Sequence, residues 1–261
     1  SAYIRFIFLI AVVTYFILGC NFILYDFNYT YLNTILTSSS LILYLFFILC
    51  FLFIINGFNF IDGNNGLMLG FSLLVLITYS IAIFNQAGMN QDLFILTCSV
   101  IIALISLFTF NLYTGKILSG DSGSYFLGFI IGGISILMVK YNYLDSLTIA
   151  CILFYPVMEV LFTFCRRLLI LKVNPLKPDS HHLHMLLYQL LINKFSQNKG
   201  MVNYNFFNSL TSLLILTALV FVYSFIFLFL ENMNALIVLI ALVFFYTITY
   251  ISLKKELKKI S

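Results

Sequence analysis

SSLILYLFFILCFLFIINGFNFIDGNNGLMLGFSLLVLITYSIAIFN, residues 39–85, holds a single charged side chain, Asp62, between two apolar runs. Each run is close to the ~20 residues that a helix needs to cross a hydrocarbon core of ~30 Å. Neither alternates polar with apolar residues. In lipid the backbone must satisfy its own hydrogen bonds, so such runs read as helices and not as barrel strands. The join between them is peculiar. A plain turn needs two or three polar residues, whereas Asn56–Leu67 mixes Phe and Ile with glycines and amides around Asp62.

The same grammar extends over the chain. No charge occurs between Asp26 and Asp62, Asp62 and Asp92, Lys199 and Glu231, or Glu231 and Lys254. Of 261 residues, 62% are hydrophobic and 8% charged, against about 25% charged in a soluble domain. The expected fold is all-α, a polytopic transmembrane bundle forming one domain over 1–261. Its eight expected spans are 4–24, 39–56, 67–85, 93–110, 123–140, 146–165, 206–229 and 234–253.

Eight spans put both ends on one side. If that side is cytoplasmic, it holds Arg5, Lys116, Arg166, Arg167, Lys172, Lys177, Lys194, Lys199, Lys254, Lys255, Lys258 and Lys259, leaving Lys140 alone outside. Cytoplasmic loops retain Lys and Arg, so this orientation is the expected one. The cytoplasmic loops then lie near 57–66, 111–122 and 166–205, the last with Pro175 and Pro178 and longer than most helix connections. The low charge excludes a nucleic-acid binder, and the net charge of +4 reflects topology. Cys20, Cys50, Cys98, Cys151 and Cys165 are scattered without a CxxC pair and read as small lipid-compatible residues.

Three constellations fall on those loops. In the first, Asp62 sits among Gly63, Gly66, Asn56, Asn59, Asn64 and Asn65. Glycines let backbone approach a ligand, and amides offer paired donors and acceptors. In the second, FNLYTGKILSGDSGSYFLG (Phe110–Gly128), Asp121 lies at the mouth of an apolar span. Asp and Ser there suit a helix cap, and the free amides suit a phosphate. A carboxylate beside phosphates is a natural magnesium ligand, and Lys116 adds a point charge. The third, NPLKPDSHHLHMLLY (Asn174–Tyr188), contains every histidine of the protein. His182 and His184, two apart, would not share a helix face, so anion contact or acid–base work fits them better than a zinc site. Glu159, in the sixth span, is expected to pair with Arg166 or Arg167, because an acid in the membrane needs a partner.

Together these loops resemble those of the polyprenyl-phosphate N-acetylhexosamine-1-phosphate transferases, bacterial family 4 glycosyltransferases related to phospho-MurNAc-pentapeptide translocase. That family's first loop typically reads N-A-x-N-L-x-D-G-x-D-G-L, matched by Asn56, Asn59, Asp62, Gly63, Gly66 and Leu67. Its second reads F-N-x-x-x-A-K-x-F-M-G-D-T-G-S, matched by Phe110, Asn111, Lys116, Gly120, Asp121, Gly123 and Ser124. Its third, H-x-H-H, is matched by His182 and His184, and Pro156, Glu159, Arg166 and Arg167 fall where similar residues fall. Asn65 replaces an aspartate, Met185 replaces the last histidine, and no Asp-Asp pair is present. The resemblance therefore implies about three further spans, with that pair, ahead of Ser1.

It also implies a reaction: phosphate of undecaprenyl phosphate attacks the sugar-linked phosphorus of a UDP-N-acetylhexosamine and releases UMP, starting a cell-surface polysaccharide at the bacterial inner membrane. The implied cofactor is Mg2+, or Mn2+, on Asp121. Asp62 shares the catalytic role. Asn59, Asn65, Asn111, Lys116, His182, His184 and Arg166 are the expected substrate contacts. Membrane lipid and a homodimer complete the expected partners. The alternatives are the pentapeptide translocase itself, a transporter, or a non-catalytic membrane partner. A transporter would carry its acids at mid-membrane, whereas here the unusual residues gather at one face.

Overall fold

The computed structural model describes residues 2–19, 27, 29–117, 119–174, 179–196, 203–229 and 234–260. Ser1, Cys20, Asp26, Pro175, Lys177, Pro178, Lys199 and Glu231 lie outside the described residues. Among those described, the regular structure is helical, without strands. The helices are α1 (Ala2–Gly19), α2 (Thr30–Leu36), α3 (Ser40–Ile61), α4 (Leu67–Phe84), α5 (Gln91–Thr114) and α6 (Gly120–Lys140), followed by α7 (Ser146–Ile152), α8 (Phe154–Cys165), α9 (Leu183–Ser196), α10 (Tyr204–Phe229) and α11 (Ala235–Ile260). A π-turn, Arg166–Ile170, continues α8.

Six of these, α3, α4, α5, α6, α10 and α11, are long and apolar enough to cross a bilayer, and α7 with α8 makes a seventh if the pair counts as one span. Within α1 the stretch Ile7–Gly19 is a shorter apolar helix, and the end of the first expected span falls outside the described residues. α4 is the central helix. Its Tyr79 hydroxyl bonds Ser135 of α6 at 2.8 Å, and its Ser80 donates to Thr97 of α5 at 3.1 Å. In lipid such interhelical bonds give neighbouring helices a fixed register where apolar contact alone gives little preference. Asn90 and Asp145 cap α5 and α7, accepting the amides of Leu93 and Thr148 at 3.0 and 2.9 Å. That end of the bundle is further tied by the Asn90 amide, which donates to the Tyr143 hydroxyl at 2.7 Å.

The expected span over 146–165 is corrected: it is two helices that meet at a bend of 75°. The cause is Pro156, which has no N–H for the Ile152 carbonyl four residues back and whose ring crowds it. Tyr223 of α10 fills the gap, donating its hydroxyl to Ile152 O at 2.5 Å. The bend also needs Gly57 of α3, where a Cβ would lie 2.5 Å from the Pro156 carbonyl oxygen. So a proline, a tyrosine and a glycine from three helices define one corner, and the corner turns Glu159 inward, where it is 0% exposed.

The polar stretches are also shorter as loops than the sequence suggests. Asn56 and Asn59 belong to the last turns of α3, leaving 62–66 as the first connection. The second connection is 115–119, and most of the described residues of the third belong to the π-turn and α9. Asp121 lies in the first turn of α6.

Tyr223→Phe should strand the buried Ile152 carbonyl and lower stability by about 1–2 kcal/mol. A thermal melt in detergent measures this, and an unchanged midpoint would remove Tyr223 from the corner.

Candidate active site

The three polar segments converge at one end of the bundle. From α3, the Asn59 side-chain amide donates to Asp121 Oδ1 and to Ser124 Oγ, both at 3.0 Å. From the connection after α3, the Asp62 carboxylate accepts the Gly120 amide at the start of α6. One residue on, Gly63 faces the third segment: a Cβ there would meet His184 Nε2 at 2.7 Å. Only glycine allows that approach without moving the ring.

Burial separates the two acids. Asp121 is exposed, while Asp62 is half-buried. Burial pushes the Asp62 carboxyl up to about 7, with the Gly120 amide drawing it partly back. The histidines are packed deeper. His182 is 5% exposed and His184 0%, their rings are parallel within 1° and 5.6 Å apart, and Phe60 lies 4.8 Å from the His182 ring. Burial brings His184 down to about 4, with His182 acting in the same sense and Glu159 opposing. Neither nitrogen of His184 has a hydrogen-bond partner.

The expected pairing of Glu159 with an arginine is corrected. Its Oε2 lies 3.2 Å from His182 Nδ1, its Oε1 accepts the Leu183 amide at 3.2 Å, and His184 Nδ1 is 3.9 Å away. The arginines are held by Asp179 instead: Arg166 pairs with it directly, and Arg167 Nη1 lies at 3.7 Å. Arg167 also donates to the Asn174 carbonyl at 2.8 Å. Burial alone would raise the Asp179 carboxyl, but Arg166 outweighs it and the net shift is downward. The two histidines come together despite their spacing because His182 precedes α9, so the helical rule does not govern it.

The other expected contacts have structural partners. Asn65 is 5% exposed, and its side chain donates to Asn205 at 2.7 Å and Ser209 at 3.2 Å, while its backbone amide donates to Asn208 at 2.6 Å. It fastens the first connection to α10. Asn111 is buried, and its amide donates to the Ile117 carbonyl at 2.5 Å, bracing the second connection. Lys116 is exposed on that connection. Arg166 is buried against Asp179 and lies 5.9 Å over the Tyr250 ring. The sequence reading missed Asn205, Asn208 and Ser209, although amides and a serine at i, i+3 and i+4 opening an apolar span signal a polar stripe.

No group of three or more His, Cys, Asp or Glu residues able to hold a metal occurs among the described residues. The donors present, the Asp121 carboxylate held by the Asn59 NH2 and the Asp62 carboxylate nearby, are hard oxygen ligands. They fit magnesium, which uses one or two carboxylates and completes its shell with water and substrate oxygens.

Fold and site thus describe a polytopic helical membrane protein with an acidic and histidine-lined cluster at one end. Residues 1–139 match the model of glycosyl transferase family 4, more than half the chain, and the protein belongs to that family. The histidine segment lies beyond the matched residues, so its link to the site rests on the Gly63–His184 contact. The chain is 32% identical over 139 residues to the undecaprenyl-phosphate alpha-N-acetylglucosaminyl 1-phosphate transferase of Thermotoga maritima, covering 53% of this chain and 41% of that protein. It is 30% identical over 157 residues to the decaprenyl-phosphate N-acetylglucosaminephosphotransferase of Mycolicibacterium smegmatis, covering 52% and 38%. It is 36% identical over 83 residues to the phospho-N-acetylmuramoyl-pentapeptide-transferase of Staphylococcus saprophyticus, covering 32% and 25%. The chain spans about two fifths of the length of the first two relatives. No solved structure matches it.

Asp62 and His184 have opposite effects on metal-free stability. A carboxyl raised from 3.8 to about 7 makes folding less favourable as pH rises through that window, because only the unfolded state has released its proton. An imidazole lowered from 6.5 to about 4 makes folding more favourable over that rise. Between pH 4 and 6.5 the two slopes offset. His184→Gln should therefore leave stability falling with pH, and Asp62→Asn should leave it rising. Denaturation in EDTA at several pH values reads both, and equal profiles would contradict the assignment.

Proposed function

We propose that the protein transfers a sugar-1-phosphate, an N-acetylhexosamine phosphate, from a UDP-sugar to undecaprenyl phosphate and releases UMP. The observation that carries this reading is the meeting of Asp62, Asn59 and Asp121 with the histidine segment at one end of an apolar bundle. Family membership and the relatives' names support it. The bias of Lys and Arg supports a cytoplasmic site at a bacterial inner membrane, where a lipid phosphate arrives laterally and a nucleotide arrives from solution.

Two anions must meet in this reaction, so the site has to offset charge. A magnesium ion held by Asp121 would neutralise the donor pyrophosphate and orient it. Asn59 fixes the Asp121 carboxylate through its hydrogen bond at 3.0 Å. Asp62, with Asn59, lines the nucleotide side. Exposed Lys116 offers a point charge to phosphate. His182 and His184 contact the diphosphate or sugar. Asn65, Asn111 and Arg166 act by holding the connections and the third segment in place around the substrate.

Asp121→Asn should reduce magnesium-dependent UMP release by at least about a hundredfold. Membranes carrying the full protein, supplied with UDP-sugar and undecaprenyl phosphate, provide the assay. Turnover like that of the unmodified protein would sink the assignment. Preference for UDP-MurNAc-pentapeptide over UDP-N-acetylhexosamines would move the protein to the translocase class.

A further inference from the structure

We propose that Glu159 is a positioning residue for the reaction: its carboxylate holds His182 with the proton on Nδ1 and turns the Nε2 edges of His182 and His184 toward Phe60–Gly63. The inference rests on the function proposed above and adds a residue that acts through another. Glu159 is 0% exposed inside an apolar helix, where a carboxylate persists only if donors surround it. The nearby arginines do not serve it, because Asp179 holds them.

The Tyr155 and Tyr246 hydroxyls face the same carboxylate, and its directional contacts to the third segment are those that set the histidines. The Leu183 amide can only donate, so Oε1 is an acceptor. An ionised carboxylate accepts at both oxygens, so Nδ1 of His182, at 3.2 Å from Oε2, carries a proton. His184 Nδ1 lies on the same side, 3.9 Å from Oε1. With Nδ1 of each ring toward Glu159, the Nε2 atoms lie on the far side of the two parallel rings. Gly63 abuts His184 Nε2, and the Phe60 ring lies 4.8 Å from that of His182. A carboxylate behind an imidazole fixes its tautomer and its orientation, and losing such a partner typically costs about 10–100-fold in activity. Glu159 also binds the main chain between the two histidines, so the start of α9 and both rings are set by one group.

Glu159→Gln preserves size and can still accept from Leu183, but it presents an N–H to His182 Nδ1. The proton on His182 should then move to Nε2, which 15N spectra of histidine-labelled protein report. UMP release should fall about 10–100-fold through kcat more than through KM. In a His182→Ala background the same change should cost markedly less than it does alone. Unaltered turnover in Glu159→Gln, a loss that multiplies with that of His182→Ala, or a wild-type His182 protonated on Nε2 alone would each overturn the inference. If Glu159→Gln does not accumulate, the wild-type spectrum decides. If the unmodified protein releases no UMP from any UDP-sugar, the function reading fails, and the same spectrum still judges Glu159.

Discussion

A carboxylate buried in a membrane helix cannot be left alone, and Glu159 is the constraint around which this end of the molecule is arranged. Removing an ion from water costs several kcal/mol even after relaxation, so its partners must be close and directional. It finds them in a segment more than twenty residues away, at Leu183 and the histidines on either side. The consequence is architectural. The segment before α9 is tied to the bundle twice, by Asp179 on the two arginines and by Glu159 at the start of the helix.

That acid reaches the histidines only because the helix carrying it is broken. Pro156 forces the corner, Tyr223 makes it tolerable by satisfying Ile152, and Gly57 lets α3 pass close to it. The same α3 ends at Ile61, so the helix that receives the corner also delivers Asn59 and Asp62. Relative placement of acids and histidines is therefore set by packing inside the bilayer, not by the loops that bear them. Asn65 adds a second fixing point, joining the first connection to α10 through amides. An amide at this position can donate to Asn205 and Ser209 where a carboxylate could only accept, which gives its departure from the family's aspartate a local physical reason.

Much of this was legible from residue order. Uncharged runs mark spans because lipid excludes charge, and the helices from Ser40 to Lys140 follow those runs closely. The polar segments around Asp62 and Asp121 were visible because glycines and amides are unusual between apolar spans. What escaped was anything set by a partner distant in sequence. Glu159 and Arg166 are seven residues apart, about two turns, which suggests a shared face, yet Asp179 competes for the arginine and wins. Helical spacing separated His182 from His184, but the rule fails where one of the pair precedes the helix. Pro156 was plain to see, but a proline near a helix start is often harmless, and only the bend shows that a span was divided here.

The two acids illustrate how a short sequence can assign different work to the same chemical group. Both lie within reach of α6, one through its own place in the first turn and one through the Gly120 amide. Exposure then divides them. Asp121 stays hydrated, so its charge is cheap to maintain and is available to a cation arriving from solution. Asp62 is partly withdrawn from water, and its carboxyl is held near 7, so near neutral pH it is divided between its two protonation states. A positive charge brought to Asp121 would favour the ionised form of its neighbour.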